Sequence, residues 1–444
     1  MVKKTAFSRL ILGVLLLLVQ VCGQALAETT PPEDSSGATV EQANLPELHL
    51  PALIALAIEE NPELQAMRKE AEAKKAVIPQ AKALLDPMLE LRLSNLPADD
   101  LSLARDPMSG MEIMLRQAVP YPGKLALRGE IASAEAAMAS QEYRDLLYEV
   151  VDMVKRAYYE LWEAERALEI TRLTQTSLQD IVKIAETKYA VGKGLQQDVL
   201  KAQVELSRLL DDLLMWQRMR EGARAMLNKA LGRPPQAPLG PTGKVEKSAL
   251  TLSLSDLQQK ALQARPWLRQ SEFAVRRAQA NEALARKDLK PDFEFGLGYM
   301  IRSTIPGQEM SGTDMVSASV AVNLPIYAAR KQRKRIEEAG YDLEAARARQ
   351  QAAATEIFSR LGDLLAQAER SGRQVDLFRQ GIIPQAELAF ESARAGYQVG
   401  KVDFLDLLDA QVKLYEYQLS YFRALAAYQR ALAEIERTAG ISLF

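Results

Sequence analysis

The chain repeats itself, and a tandem repeat limits what it can fold into more strongly than any single motif does. Displaced by 204 residues, Leu53, Ala57, Pro62 and Leu64 of LIALAIEENPEL fall on Leu257, Ala261, Pro266 and Leu268 of LQQKALQARPWL, and Asp86-Pro87 falls on Lys290-Pro291. Further on, with a few residues' drift, Tyr189, Gly192, Asp198, Ala202, Gln203 and Leu206 pair with Tyr397, Gly400, Asp406, Ala410, Gln411 and Leu414. Identity is low, but the breaks coincide and the blocks keep their order. We read a tandem duplication.

Each repeat runs through a helix, two short strands and a very long helical region broken by a glycine turn. The first helix, over residues 53–84, carries Leu53, Leu56, Ala57, Leu64, Met67, Ala71 and Val77 at helical spacing. The strands alternate: Leu89, Leu91 and Leu93 against Glu90, Arg92 and Ser94, then Ile113 and Leu115 against Glu112 and Arg116. In the second repeat Phe293, Phe295, Leu297 and Tyr299 oppose Glu294, Gly296 and Gly298, and Val316, Ala318, Val320 and Val322 oppose Ser317, Ser319 and Asn323. A half-buried soluble sheet gives such a pattern, and so does a barrel wall with lipid on one side and water on the other. Four strands cannot close a barrel, whereas three subunits contribute twelve and leave no open edge.

After AVPYPGK and NLPIYAARK the composition turns to Ala, Glu, Arg, Leu and Gln, all strong helix formers. From residue 125 to about 188 no proline intervenes, and roughly 60 residues at ~1.5 Å each make a rod of about 90 Å. Leu147, Val150, Val151, Val154, Tyr158, Leu161 and Leu168 recur at three and four, the spacing of coiled-coil packing. A turn at Val191-Gly192-Lys193-Gly194 sends the chain back as a second rod. Val399-Gly400-Lys401 makes the matching tip, and Pro384 is expected to break the helix that leads to it. The fold class is mainly α with membrane β: a duplicated repeat of antiparallel coiled-coil hairpins, with four β-strands per chain.

Residues 1–27 read as an export signal, with Lys3, Lys4 and Arg9 ahead of an apolar run and Ala25-Leu26-Ala27 at the cleavage point. That run is shorter than the ~20 residues a bilayer helix needs. Residues 28–47 form a flexible segment, 48–231 the first repeat, 232–253 a linker rich in proline and glycine, and 254–444 the second repeat. Cys22, the one cysteine, lies inside the signal, and Gln20 and Val21 stand where a lipoprotein site wants small residues. The mature chain then has no thiol for a disulfide, a metal or a nucleophile. His49 is the one histidine and has no companion at metal-ligand spacing. With no G-x-S-x-G elbow, P-loop or dinucleotide motif, neither catalysis nor a cofactor is expected. Lys+Arg 56 against Asp+Glu 58 leaves a net charge of -2 and no field to attract nucleic acid.

The duplicated strands and hairpins, with NPEL at residues 61–64, VGKGLQQDVLKAQ at 191–203 and GYQVGKVDFLDLLDAQ at 396–411, make the sequence similar to the TolC-like outer membrane efflux family over residues 48–444. The resemblance implies a homotrimer in the cell outer membrane, with twelve strands forming one barrel in outer-membrane lipid. Twelve helices would form a periplasmic tube, closed at its tip by inward-curling coiled coils. It implies passage rather than catalysis, with an inner-membrane pump of RND or ABC type and a periplasmic membrane-fusion adaptor as partners. The tips at Val191, Gly192 and Lys193 and at Val399, Gly400 and Lys401 are where the family meets its adaptor.

Asp406 and Asp409 match the acidic positions that ring the closed entrance in family members. Three residues apart on a helix they share a face, so threefold symmetry gathers six carboxylates. Read without the family, both are solvated charges just after a turn, with Asp198 and Asp406 near helix starts. Tyr397 matches the family's tyrosine that latches onto the acidic position represented here by Asp198. TolC itself has an arginine two residues after the tip glycine, where this chain has Val402, so the ionic part of that latch is missing and Lys401 is one position off. AVPYPGKLALRGE looks like the branch that works with heavy-metal cation pumps, while metal cations, drugs and polypeptides all remain open as cargo. The competing reading is a soluble periplasmic coiled-coil scaffold or adaptor subunit.

Overall fold

The computed structural model describes residues 45–99, 101–307 and 312–443. The expected export signal, Cys22 and residues 28–44 of the expected flexible segment lie outside the described residues.

Two helices stand where one was expected over residues 53–84: α1 (Leu50–Glu60) and α2 (Pro62–Lys82). They break at Asn61 because a residue before proline is pushed out of the helical region. Asn61 is extended, with φ -65° and ψ 117°, and its side-chain oxygen accepts from the N–H groups of Glu63 and Leu64. Its amide donates to the carbonyl of Ala230 at 3.1 Å, so the break also fastens the entry helices to a distant helix end.

Strands β1 (Met88–Ser94), β2 (Gly110–Val119), β3 (Phe293–Arg302) and β4 (Met315–Val322) form one antiparallel sheet in the order β1-β2-β3-β4. Leu89 lies opposite Leu115, Ile113 opposite Tyr299, and Phe295 opposite Val320, so the β2–β3 pairing joins the two repeats. Met88, Val119, Phe293 and Val322 share one end of the sheet, the end from which the helices depart. The loops at the other end are tied by Arg302, which donates to the carbonyls of Thr313 at 2.7 Å and Pro107 at 3.1 Å.

Helix α3 (Lys124–Ala190) runs 67 residues, about 100 Å at ~1.5 Å per residue, and α4 (Gln196–Ala230) returns along it. In the second repeat α5 (Leu254–Ala264) and α6 (Pro266–Lys287) break at Arg265 as α1 and α2 do at Asn61. The long rods are α7 (Gln332–Leu377), α8 (Ile383–Gln398) and α9 (Phe404–Ala439). Pro384 does not end the outgoing rod. A π turn over Phe378–Ile382 precedes it, and the N–H of Ile383 reaches back five residues to Phe378. The wider turn accommodates the ring and the missing N–H that an α-helix would not.

The repeats bury matching cores. Leu53, Ala57 and Leu64 pack with Val150, Val154, Leu161 and Leu227, while Leu257, Ala261 and Leu268 pack with Ile357, Leu361, Leu364 and Leu432. Helix α3 is the spine, in contact with α2, α4, α6 and α9. Residues 232–253 contain no helix or strand, yet they are packed: Leu48 bridges Thr242, and Gly243 donates to the Tyr158 hydroxyl at 3.1 Å.

Charges are buried where the repeats meet. Beside the sheet, Lys124 is 2% exposed and lies 2.9 Å from Asp292 and 3.3 Å from Asp288. Between α3 and α9, Lys155 pairs with Glu436, and Arg437 reaches Glu149 at 3.1 Å. Asp152 is buried there without a hydrogen bond, its nearest cations being Arg156 at 3.2 Å and Arg437 at 3.6 Å. Burial pushes its pKa up from 3.8 to about 6, against the pull of both arginines.

Two outcomes follow. Folded Asp152 holds its proton more tightly than the unfolded chain does, so the stability it withholds at neutral pH returns as pH falls through 6 toward 4. Asp152→Asn should flatten that part of the profile of thermal midpoint against pH, and an unaltered profile would contradict the assignment. Lys124→Met leaves the part-exposed carboxylates of Asp288 and Asp292 without their cation and should cost about 1–3 kcal/mol in denaturant unfolding; an unchanged unfolding midpoint would mean that these ion pairs contribute nothing.

Candidate functional site

Two regions carry the features that transport needs: the sheet, and the tips of the helical hairpins. In the sheet the register gathers Leu89, Leu91, Leu93, Ile113, Leu115, Phe295, Leu297, Tyr299, Val316 and Val320 on one face. Nothing among the described residues covers them: Leu89 is 71% exposed, Leu297 60% and Val316 72%. A water-soluble sheet would bury such a face.

The opposite face is charged and internally satisfied. Arg116 reaches Glu90 at 2.8 Å and Glu294 at 3.7 Å, Arg92 reaches Glu90 at 2.8 Å, and the Ser317 hydroxyl donates to Glu112 at 2.8 Å. Lipid on one side and water on the other is the environment these faces match. The outer edges of β1 and β4 have no strand beside them within the described residues.

At the tips the repeat becomes a shared backbone motif. Gly192 has φ +72° and Gly400 has φ +76°. The N–H of Gly192 bonds to Tyr189 at 3.0 Å and that of Lys193 to Lys188 at 2.8 Å; Gly400 bonds to Tyr397 at 3.1 Å and Lys401 to Gly396 at 2.9 Å. These helix ends need a residue in the left-handed region, which glycine enters without strain. Both turns present an exposed valine, Val191 or Val399, beside an exposed lysine, Lys193 or Lys401.

Asp406 and Asp409 lie on the first turns of α9, exposed and without a hydrogen bond or ion pair among the described residues. Asp198 is held differently, its carboxylate accepting from the N–H of Leu195 at 3.4 Å as a cap on α4. Tyr397 is buried, and its hydroxyl has no hydrogen-bond partner. The structure therefore places Tyr397 and Asp198 near one another without joining them: burial first, and the Asp198 charge second, hold the tyrosine pKa above its ordinary value.

Sequence reasoning missed the group that does reach Tyr397. Lys188, at the end of α3, donates to the Tyr397 carbonyl and sits 4.0 Å from the centroid of its ring. Its only signal in the sequence is a mismatch between the repeats, since Gly396 stands at the corresponding place. Gln411 is better explained by the duplication: it is buried and accepts from Ser177 at 2.8 Å, tying α9 to α3.

A model of the outer membrane efflux protein family matches residues 53–233 and 257–440, most of both repeats. The chain belongs to that family. It is 24% identical to the cobalt-zinc-cadmium resistance protein CzcC of Cupriavidus metallidurans, over 88% of this chain and 90% of that one. To the solvent efflux pump outer membrane protein SrpC of Pseudomonas putida it is 26% identical, over 83% of this chain and 80% of the relative. Among solved structures, the outer membrane protein VceC of Vibrio cholerae shares the fold with a TM-score of 0.74 at 17% identity, over 89% of this chain and 97% of that one. This outer membrane efflux protein is thus a channel with its strands in the outer membrane and its helical hairpins in the periplasm, and the soluble scaffold gives way to it.

Because the Tyr397 hydroxyl is buried without a partner, Tyr397→Phe removes an unsatisfied group and should hold or raise the thermal midpoint. A fall of several degrees would show that the hydroxyl is bonded.

Proposed function

We propose that three copies of this chain close a twelve-stranded barrel and continue it as a helical duct, a passive exit that receives cargo from an inner-membrane pump through a periplasmic adaptor. Each subunit contributes two structural repeats, residues 48–231 and 254–444, joined by 232–253. One observation carries the reading: a sheet that, among the described residues, has an uncovered apolar face, a charged opposite face and two unpaired edges. In hydrocarbon an unpaired N–H or C=O costs several kcal/mol, so β1 and β4 require neighbours. Cyclic symmetry supplies them by setting β4 of one copy against β1 of the next.

Asp406 and Asp409 form the acidic ring of the periplasmic entrance in this reading. Their exposure supports it, as does the lack of a hydrogen bond or ion pair to either carboxylate among the described residues. Six carboxylates around a narrow axis favour cations and bind a multivalent one. The exposed valine and lysine of each tip are the docking points for the adaptor. Cargo is set by the pump: the names of the relatives span cobalt-zinc-cadmium resistance and solvent efflux, which supports a duct that accepts what it is handed.

Single-channel recording tests the entrance. Asp406→Asn with Asp409→Asn should weaken block by trivalent cations by at least roughly tenfold and lower the preference for cations over anions. Block of the same strength in the double variant would remove both residues from the pore.

A further inference from the structure

We propose that Lys188 is the cation that holds the outer hairpin to the inner one at the periplasmic end, a positioning residue for the closed duct. The inference rests on the reading of α3–α4 and α8–α9 as the walls of the entrance. Lys188 lies in the last turn of α3, and its ammonium makes two contacts with Tyr397 near the end of α8. Its ammonium donates to the Tyr397 backbone carbonyl and lies over the ring, 4.0 Å from the centroid.

Each contact suits a cation in particular. The last carbonyls of a helix carry the negative end of its dipole, and that of Tyr397 accepts from Lys188 as well as from the Gly400 N–H; the aromatic face attracts positive charge. Tyr397 is in turn fixed: it is 5% exposed and meets Phe404 edge to face at 5.6 Å, within a core that includes Leu178, Ile181 and Ala185 of α3. Separating α8 from α3 at this level must therefore break the carbonyl bond and the ring contact together, and bring a buried tyrosine into water.

The repeats provide an internal control. Tyr189 and Tyr397 are equivalent in sequence, and each precedes its tip glycine by three residues. Tyr189 is 48% exposed, whereas Tyr397 is buried under a lysine from the facing hairpin. The place equivalent to Lys188 is Gly396, where a side chain would collide with Val402. The tie thus runs one way, from outer helix to inner. It uses the ring and the main chain and leaves the hydroxyl without a bond.

The test is conductance of the purified full-length protein in planar bilayers, with oligomer and thermal midpoint checked for each variant. Lys188→Met should raise the ratio of open to closed dwell time by roughly tenfold, Lys188→Arg should keep it near that of the unaltered protein, and Tyr397→Leu should add little to Lys188→Met because both cut the same tie. If the methionine variant does not assemble, Lys188→Gln, which keeps a donor but no charge, should still open more often. Unaltered gating in an assembled Lys188→Met or Lys188→Gln protein would overturn the proposal, as would equal opening by Lys188→Arg. Channels from the unaltered protein with none of these effects would leave the duct standing and remove only the clamp; no channels from it would remove both.

Discussion

A backbone N–H or C=O that faces hydrocarbon has nothing to bond to, and β1 and β4 each present a row of them. The sheet also keeps its greasy residues on the outside, with Leu89 and Val316 among the most exposed apolar side chains of the chain. Either property alone would make a poor soluble protein, and together they define a segment of barrel wall. In the proposed ring each edge strand gains a neighbour, which would couple the folding of the four-stranded unit to assembly.

The rest of the chain answers to that ring. The helices leave the sheet from one end, so a closed barrel continues directly into a wall of helices. Lys124, buried beside Asp288 and Asp292, ties the start of α3 to the segment between α6 and β3, and the inter-repeat charges around Asp152 and Arg437 hold α3 to α9. These pairs join one repeat to the other. They stabilise mainly by penalising any arrangement in which the two separate, because a stranded buried charge costs more than the pair gains.

Much of this could be read from the sequence, and the reasons are local. Alternation in the strands was legible because side-chain period and burial share the same step of two, as Leu89, Leu91 and Leu93 show. The tip glycines were legible because a left-handed helix end has few alternatives, and Gly192 and Gly400 both take it. The matched residues Leu53, Ala57 and Leu64 with Leu257, Ala261 and Leu268 were visible as a repeat before they could be known as two equivalent cores. The break at Asn61 carried a local signal, Asn-Pro, that helical periodicity on both sides concealed. Other features left no local trace. Asp152 looks like a charge on a helix surface until α9 is laid over it, and the π turn before Pro384 exchanges one hydrogen-bond ring size for another without altering the apolar pattern. Lys188 meets Tyr397 across 209 residues, a contact that only the packing of two hairpins creates.

The mass of the protein extracted from the outer-membrane fraction, by light scattering corrected for bound detergent, tests the closed ring most directly. Three chains per particle, soluble only with detergent, is the result the unpaired edges of β1 and β4 require. A monomer or dimer that stays in solution without detergent would mean that those edges and the apolar face are covered in some other way, and the barrel would be wrong.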